Sequence, residues 1–323
     1  MRDYLIRRVA LLVPTFFLAT VLVFSLLRFT PGSAIDVMLQ ETGTAYLDNS
    51  RTVEVLKHEF GLDKPVHIQY WEFITGIFSG NLGNSFWLNH GERTAVRDII
   101  GNALPVTMKL AVLGACASVT VGITLGVISA IKQDTWIDYV LRSLSIAMLS
   151  MPGFWLATLV VIFPAIWWGI LPPVFFTPWS ESPIDNLKIF IAPVILLGVQ
   201  SSAGQMRMTR SMMLEVLRQD YIRTAWAKGL NQRAVIIRHA LKNALIPVVT
   251  IAGLQMTFLL GGTVILESIF GLPGMGRELI TAIRLRDYPT VQGINVFFIS
   301  VVICMNLLVD LSYGYLDPRI RFK

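Results

Sequence analysis

Charge is scarce in this sequence: Asp, Glu, Lys and Arg make up 15% of its 323 residues, while 54% are hydrophobic. A soluble domain carries about 25% charged residues, so the composition excludes an ordinary water-soluble globule and points to a membrane protein. Cysteine is scarcer still. Cys116 and Cys304 both lie inside apolar runs, and neither a disulfide framework nor zinc-type spacing can be built from them. The four histidines, His58, His67, His90 and His239, are scattered, with no HExxH and no carboxylate cluster in an apolar run. That excludes a metal or catalytic centre of this kind at membrane depth. No GxxxxGK[ST] occurs, so the chain has no phosphate-cradling loop of its own and is not expected to hydrolyse ATP. A midplane carboxylate is missing too: Glu267 and Asp310 sit at the ends of apolar runs, which disfavours a proton-coupled carrier.

What the chain has in quantity is apolar length. Uncharged runs recur at Val9–Leu27, Leu110–Ile131, Ser143 to about Gly169, Ile189–Met206, Asn243–Leu266 and Tyr288–Val309. A bilayer core of about 30 Å needs about 20 helical residues, so six spans are expected. The third run is interrupted by Pro152 and Pro164, and Leu171-Pro172-Pro173 is expected to end it. No small-residue cleavage site follows Val9–Leu27, which is read as a retained span and not a signal peptide. With both termini in the cytoplasm, the inner segments hold 16 of the 27 lysines and arginines, eight of them from Arg207 to Lys242. The inner side is then +9 and the outer side −3, as the positive-inside rule favours. The expected fold is all-α: a first span (1–29), a small helical extracytoplasmic subdomain (30–108), a core of five spans (109–315) with a cytoplasmic loop (207–242), and a cytoplasmic tail (316–323).

Several local patterns stand inside that frame. The aromatics Tyr70, Trp71, Phe73, Phe78, Phe86 and Trp87 are read as core and interfacial belt and not as a ligand cage. Ala111, Ala115, Ser118, Gly122 and Gly126 recur at helical spacing; they either let a second helix approach closely or mark a helix merely rich in small residues. Gln200, Gln205 and Gln255 are polar groups near membrane depth that either line a substrate path or hydrogen-bond between helices. Between the last two spans, Gly271, Pro273, Gly274 and Gly276 break the chain before a short amphipathic helix expected over Arg277–Arg286, where Glu267, Phe270 and Pro273 are candidates for an extracytoplasmic gate.

The stretch Asp220 to Pro247 in the cytoplasmic loop is read as two short helices meeting at a glycine. Asp220 is expected to cap the first. Leu217, Tyr221 and Ala225 share one face at i, i+4 and i+8. Gly229 supplies the left-handed residue that ends the helix. Asn231 starts the second helix, along which Ile237, Leu241, Ala244 and Val248 form an apolar stripe. A first helix of about nine residues is roughly 13 Å long, too short to span.

This stretch resembles the EAA loop of bacterial ABC importer permeases, EAA-x3-G-x9-I-x-LP. Arg223-Thr224-Ala225 stands at the EAA positions and Gly229 at the glycine, while His239 replaces the isoleucine and Leu241-Lys242 the Leu-Pro. RTAxAKGL followed by RHALxNALIPVVT is similar to the dipeptide/oligopeptide/nickel branch of that family. The resemblance extends over the chain through YLIRR, TPGS, FGLDKPVHIQY, GNLGNSF, ESIFGLPGMG, DYPTVQG and NLLVDLSYGYLDPRIR. It implies a transport subunit, not an enzyme, of an importer in the bacterial inner membrane. It implies a second permease, one or two ATP-binding subunits and an extracytoplasmic binding protein as partners, with ATP and magnesium on the ATPases and no cofactor or metal on this chain. It also implies that Asp220, Arg223, Thr224, Ala225, Lys228 and Gly229 couple the spans to the ATPase. The competing classes are a secondary carrier, which needs repeats and a midplane ion site, and a membrane scaffold, which leaves the loop unexplained. The substrate stays open among dipeptides, longer peptides, glutathione, opines, nickel chelates and oligosaccharides.

Overall fold

The computed structural model describes residues 2–41, 50–89, 92–170 and 176–316. In chain order the elements are α1 (Arg2–Phe29), α2 (Ala34–Glu41), α3 (Ser50–Glu59), α4 (Val66–Ser79), β1 (Asn84–Asn89), β2 (Glu92–Ala95), α5 (Val96–Ile131), α6 (Trp136–Ser150), α7 (Gly153–Trp168), α8 (Pro183–Leu217), α9 (Asp220–Ala227), α10 (Gln232–Ala234), a π-helical turn (Val235–Leu241), α11 (Lys242–Ile269), α12 (Met275–Arg284) and α13 (Tyr288–Leu316). Among the described residues four helices, α1, α5, α8 and α13, contain stretches long and apolar enough to cross a membrane. The bent pair α6 and α7 makes a fifth if counted as one crossing. The 28-residue α11 encloses the uncharged run Asn243–Leu266. At 1.5 Å per residue α5 and α8 are about 54 and 52 Å long, well beyond the ~30 Å bilayer core, so they extend past the apolar runs that announced them.

The third run is where helix and expectation part. It is broken: α6 and α7 meet at 99°. The ring of Pro152 disfavours the helical region for the residue before it, and Met151 is extended at φ −93°, ψ 128°. α7 then ends before Leu171-Pro172-Pro173, which lie outside the described residues, as does the tail 317–323. Its stop is Gly169, left-handed at φ 66°, whose N–H donates to the Pro164 carbonyl. Pro164 itself stays inside the helix.

Packing divides the chain into two compact units, one of Thr107–Leu272 with the chain from Met305 on, the other of Arg2–Val106 with Pro273–Cys304. In the first, small residues of α5 face α8. A Cβ added at Gly122 would stand 2.8 Å from Gln205 Cβ and 3.1 Å from the Ser202 carbonyl oxygen. One added at Gly126 would stand 2.7 Å from the Met206 carbonyl oxygen. Ala115 and Ser118, earlier on the same stripe, are buried. The stripe is therefore a close-approach face, the first of its two sequence readings. Gly126→Val is expected to cost about 1–3 kcal/mol by overpacking and to lower the melting temperature of the solubilised protein. Gly261→Ala, with no neighbouring atom within 4 Å, is the control expected to melt like the parent; equal melting of both variants would refute the contact.

The second unit is mostly helical but also holds the antiparallel hairpin β1–β2, which the all-helical expectation for 30–108 did not include. Its aromatics pack: Phe60 stacks on Phe86 at 4.2 Å between centroids, and Phe24 meets Tyr70 at 5.3 Å. Trp71 and Phe78 instead are exposed, as an interfacial belt requires. Arg286 donates to the carbonyls of Pro31 and Gly32, tying the residues before α13 to the turn after α1. α12 begins at Met275, two residues before the expected Arg277, and ends at Arg284. Val96, Ile100 and Ala103 of α5 form a core with Met275 and Ile294.

Candidate functional site

The loop after α8 is built as a short helix held on a small apolar base. α9 has eight residues, about 12 Å at the usual rise. Ile222 (0% exposed) and Ala225 are buried among Met213, Val235, Ile236, Ala240 and Ala244. The opposite face, with Arg223, Thr224, Trp226 and Lys228, is exposed. At the C-terminus the N–H groups of Gly229 and Leu230 donate to the carbonyls of Trp226 (2.9 Å) and Ala225 (3.4 Å). Gly229 is left-handed at φ 76°, so the helix ends in a Schellman turn that a side chain at this position would strain. Asn231 then caps the next helix, its side chain accepting from the Ala234 N–H at 2.8 Å.

Three details depart from the sequence reading. Gln219 and not Asp220 occupies the N-cap, and no side chain accepts a cap hydrogen bond there. Asp220 stands in the first turn and pairs with Arg223 at 3.3 Å, both exposed, a pair worth little in water. Tyr221 is 43% exposed and not on the packed face; its hydroxyl accepts from Asn243 Nδ2 at 2.8 Å and braces α9 against the start of α11. The π-helical turn also shifts the apolar stripe. An extra residue per turn rotates the following side chains, so Ile236 and Ala240 are buried while Ile237 is 52% exposed.

The three glutamines are not brought together. Gln200 Nε2 donates to the Met151 carbonyl (3.0 Å) at the α6–α7 bend and lines a cavity of about 180 Å³ with Gly153, Leu197 and Leu266. Gln255 Nε2 donates to the Ser201 carbonyl (3.4 Å), and its side chain lines a cavity of about 360 Å³ with Arg207 and Ser211. Gln205 lies five residues from Gln200, about 140° around the helix. It is buried toward Gly122, and neither of its amide atoms has a hydrogen-bond partner among the described residues. Of the gate candidates, Glu267 and Phe270 are buried at the end of α11 in one unit, while Pro273 opens the returning segment of the other.

A site the sequence reading missed joins three elements. Asp138 of α6, fully buried, accepts from Arg210 Nε (2.8 Å) and Nη2 (2.7 Å) of α8, from Ser129 Oγ of α5, and from the Asp134 N–H (3.1 Å). Arg210, Arg207 and Arg142 line one cavity of about 270 Å³. Asp138 and Arg210 entered the sequence reading only as topology charges; no local pattern links residues 72 positions apart.

Residues 122–322 match the family described as binding-protein-dependent transport system inner membrane component, and residues 1–111 match its N-terminal membrane component. The chain is 38% identical to the dipeptide transport system permease protein DppB of Escherichia coli (strain K12), with 100% of both chains covered. It is also 38% identical to the di/tripeptide transport system permease protein DppB of Pseudomonas aeruginosa (strain UCBPP-PA14), again over 100% of both. A crystal structure of an amino acid ABC transporter with histidines matches at a TM-score of 0.51 and 16% identity, covering 67% of this chain and 92% of its own, a likeness of fold alone. The chain belongs to the binding-protein-dependent transport system inner membrane components, as a multi-pass inner-membrane permease subunit of an ABC import system, a transport subunit and not an enzyme, with ATPase and binding-protein partners.

Proposed function

We propose that this permease imports di- and oligopeptides, handed over by an extracytoplasmic binding protein, through a pathway shared with a second, related permease. Full-length identity to dipeptide and di/tripeptide permeases supports the substrate class. Both termini lie in the cytoplasm, where the lysines and arginines concentrate. One or two partner subunits bind ATP and magnesium, and this chain binds no cofactor. The pathway runs past Gln200 and Gln255, whose amides border cavities beside α8.

Coupling is carried by α9, and the observation behind this is its mounting. Ile222 and Ala225 are sunk in the base while Arg223, Thr224, Trp226 and Lys228 face outward. A helix held that way moves with the helices beneath it. ATP binding must favour one packing of the spans over another, because a ligand shifts an equilibrium only by its differential affinity for the two states.

The test is Gly229→Pro, which cannot adopt φ 76°. Uptake of a labelled dipeptide into vesicles and substrate-stimulated ATPase activity are expected to fall to background, with insertion and subunit assembly intact. Parental uptake and ATPase in that variant would overturn the coupling role.

A further inference from the structure

The second unit contains a cavity of about 270 Å³ between the end of α1, helix α4, β1 and the start of α13. Its walls are aromatic, with Phe24, Phe60, Phe73, Phe86 and Tyr288 around one cation, Arg28. The guanidinium carbon of Arg28 lies 4.7 Å from the Tyr288 ring centroid and 5.2 Å from that of Phe24. Nη2 donates to Gln69 Oε1, a neutral acceptor. Nε is buried and has no hydrogen-bond partner among the described residues. Glu72 also lines the cavity, but its carboxylate is held by Lys64 Nζ at 2.6 Å. On another wall Gln292, 7% exposed, has its Nε2 buried and likewise without a partner.

Among the described residues, two buried donors therefore border one cavity with nothing to accept from them, and one belongs to a cation whose charge no carboxylate offsets. An unmet buried donor costs about 1–3 kcal/mol, and more for a charged group, so an acceptor carrying negative charge is the chemistry this arrangement favours. The aromatic walls favour an apolar body attached to it. Ligand pockets begin at about 300 Å³, which limits the guest to a small one or to one end of a larger one. The geometry points to a binding site for an oxyanion group, carboxylate or phosphate, on a small apolar or aromatic body, seated on Arg28 and Gln292. A peptide C-terminus and a phospholipid headgroup both carry that chemistry.

The experiment uses the full chain with its co-purifying subunits in nanodiscs of phosphatidylcholine. Hydrogen–deuterium exchange is followed over residues 66–79 and 288–292 on adding L-alanyl-L-phenylalanine or its C-terminal amide. In parallel, native mass spectrometry after exposure to phosphatidylglycerol reads retained lipid. Slowed exchange with the free acid and not the amide, weakened about tenfold or more in Arg28→Met and in Gln292→Leu, establishes the site with a peptide carboxylate as its source. Phosphatidylglycerol retained by the parent and lost from both variants establishes it with a lipid source. Binding of neither probe, or binding equal in parent and variants, overturns the proposal. Gln292→Leu removes a neutral amide from a cavity wall and decides the matter if Arg28→Met fails to assemble. None of these readouts needs transport, so the result stands apart from the import reading above.

Discussion

Asp138→Asn is expected to cut the amount of folded permease sharply and to destabilise what remains by about 3–5 kcal/mol, the cost of breaking a buried ion pair from one side. The reason lies in what is left behind. Arg210 would keep its charge and two donors directed at a group that no longer carries a negative charge, with its side chain only 18% exposed. The Ser129 hydroxyl and the Asp134 N–H would also face an altered acceptor. Arg210→Met is expected to do comparable damage, because it strands the carboxylate. The double variant Asp138→Leu/Arg210→Met should recover part of the loss, since two apolar groups leave no lone charge, while the Ser129 hydroxyl and the Asp134 N–H stay without their acceptor. Melting of the solubilised protein and its abundance in the membrane are the measurements. Single variants that melt with the parent would show that the pair holds nothing together.

Asp287→Ala is expected to be the second large loss, confined to the other unit. The Asp287 carboxylate accepts from Ser85 Oγ (2.6 Å), the Phe86 N–H (3.0 Å) and Thr290 Oγ1 (2.6 Å), all within buried surroundings. Each stranded donor costs about 1–3 kcal/mol, so losing three acceptor contacts should amount to several kcal/mol. Asp287→Asn keeps one acceptor oxygen and should cost less, and Ser85→Ala, which leaves the carboxylate its Phe86 and Thr290 donors and strands only the Trp87 N–H, least. Exchange or proteolysis near residues 84–89 should report the order Ala, Asn, Ser85→Ala. Protection unchanged in Asp287→Ala would show that these three hydrogen bonds do not hold this unit together.

These two sites show how far a chain can be read without its fold. GNLGNSF and DYPTVQG are each visible as motifs, yet nothing in either says that Ser85 of the first and Asp287 of the second share a hydrogen bond across 202 positions. Asp138 and Arg210 are equally silent, because positive-inside counting treats every charge as a solvated one. The small-residue stripe of α5 was legible as spacing, and only the opposing backbone of α8 made it a contact.

Features with a local cause could be read from the order of residues alone. Uncharged length marked the helices, since a backbone in lipid must satisfy its own hydrogen bonds. Gly229 and Asn231 marked the stop and start around α9, since a left-handed residue and a side-chain cap act within one turn. Packing between distant segments set the others: the side of α9 that is buried, the π-helical shift that hides Ile236 and exposes Ile237, the 99° turn between α6 and α7, and the partners of Asp138 and Asp287. A helical face or a buried charge acquires its meaning from what packs against it, and those neighbours come from distant parts of the chain.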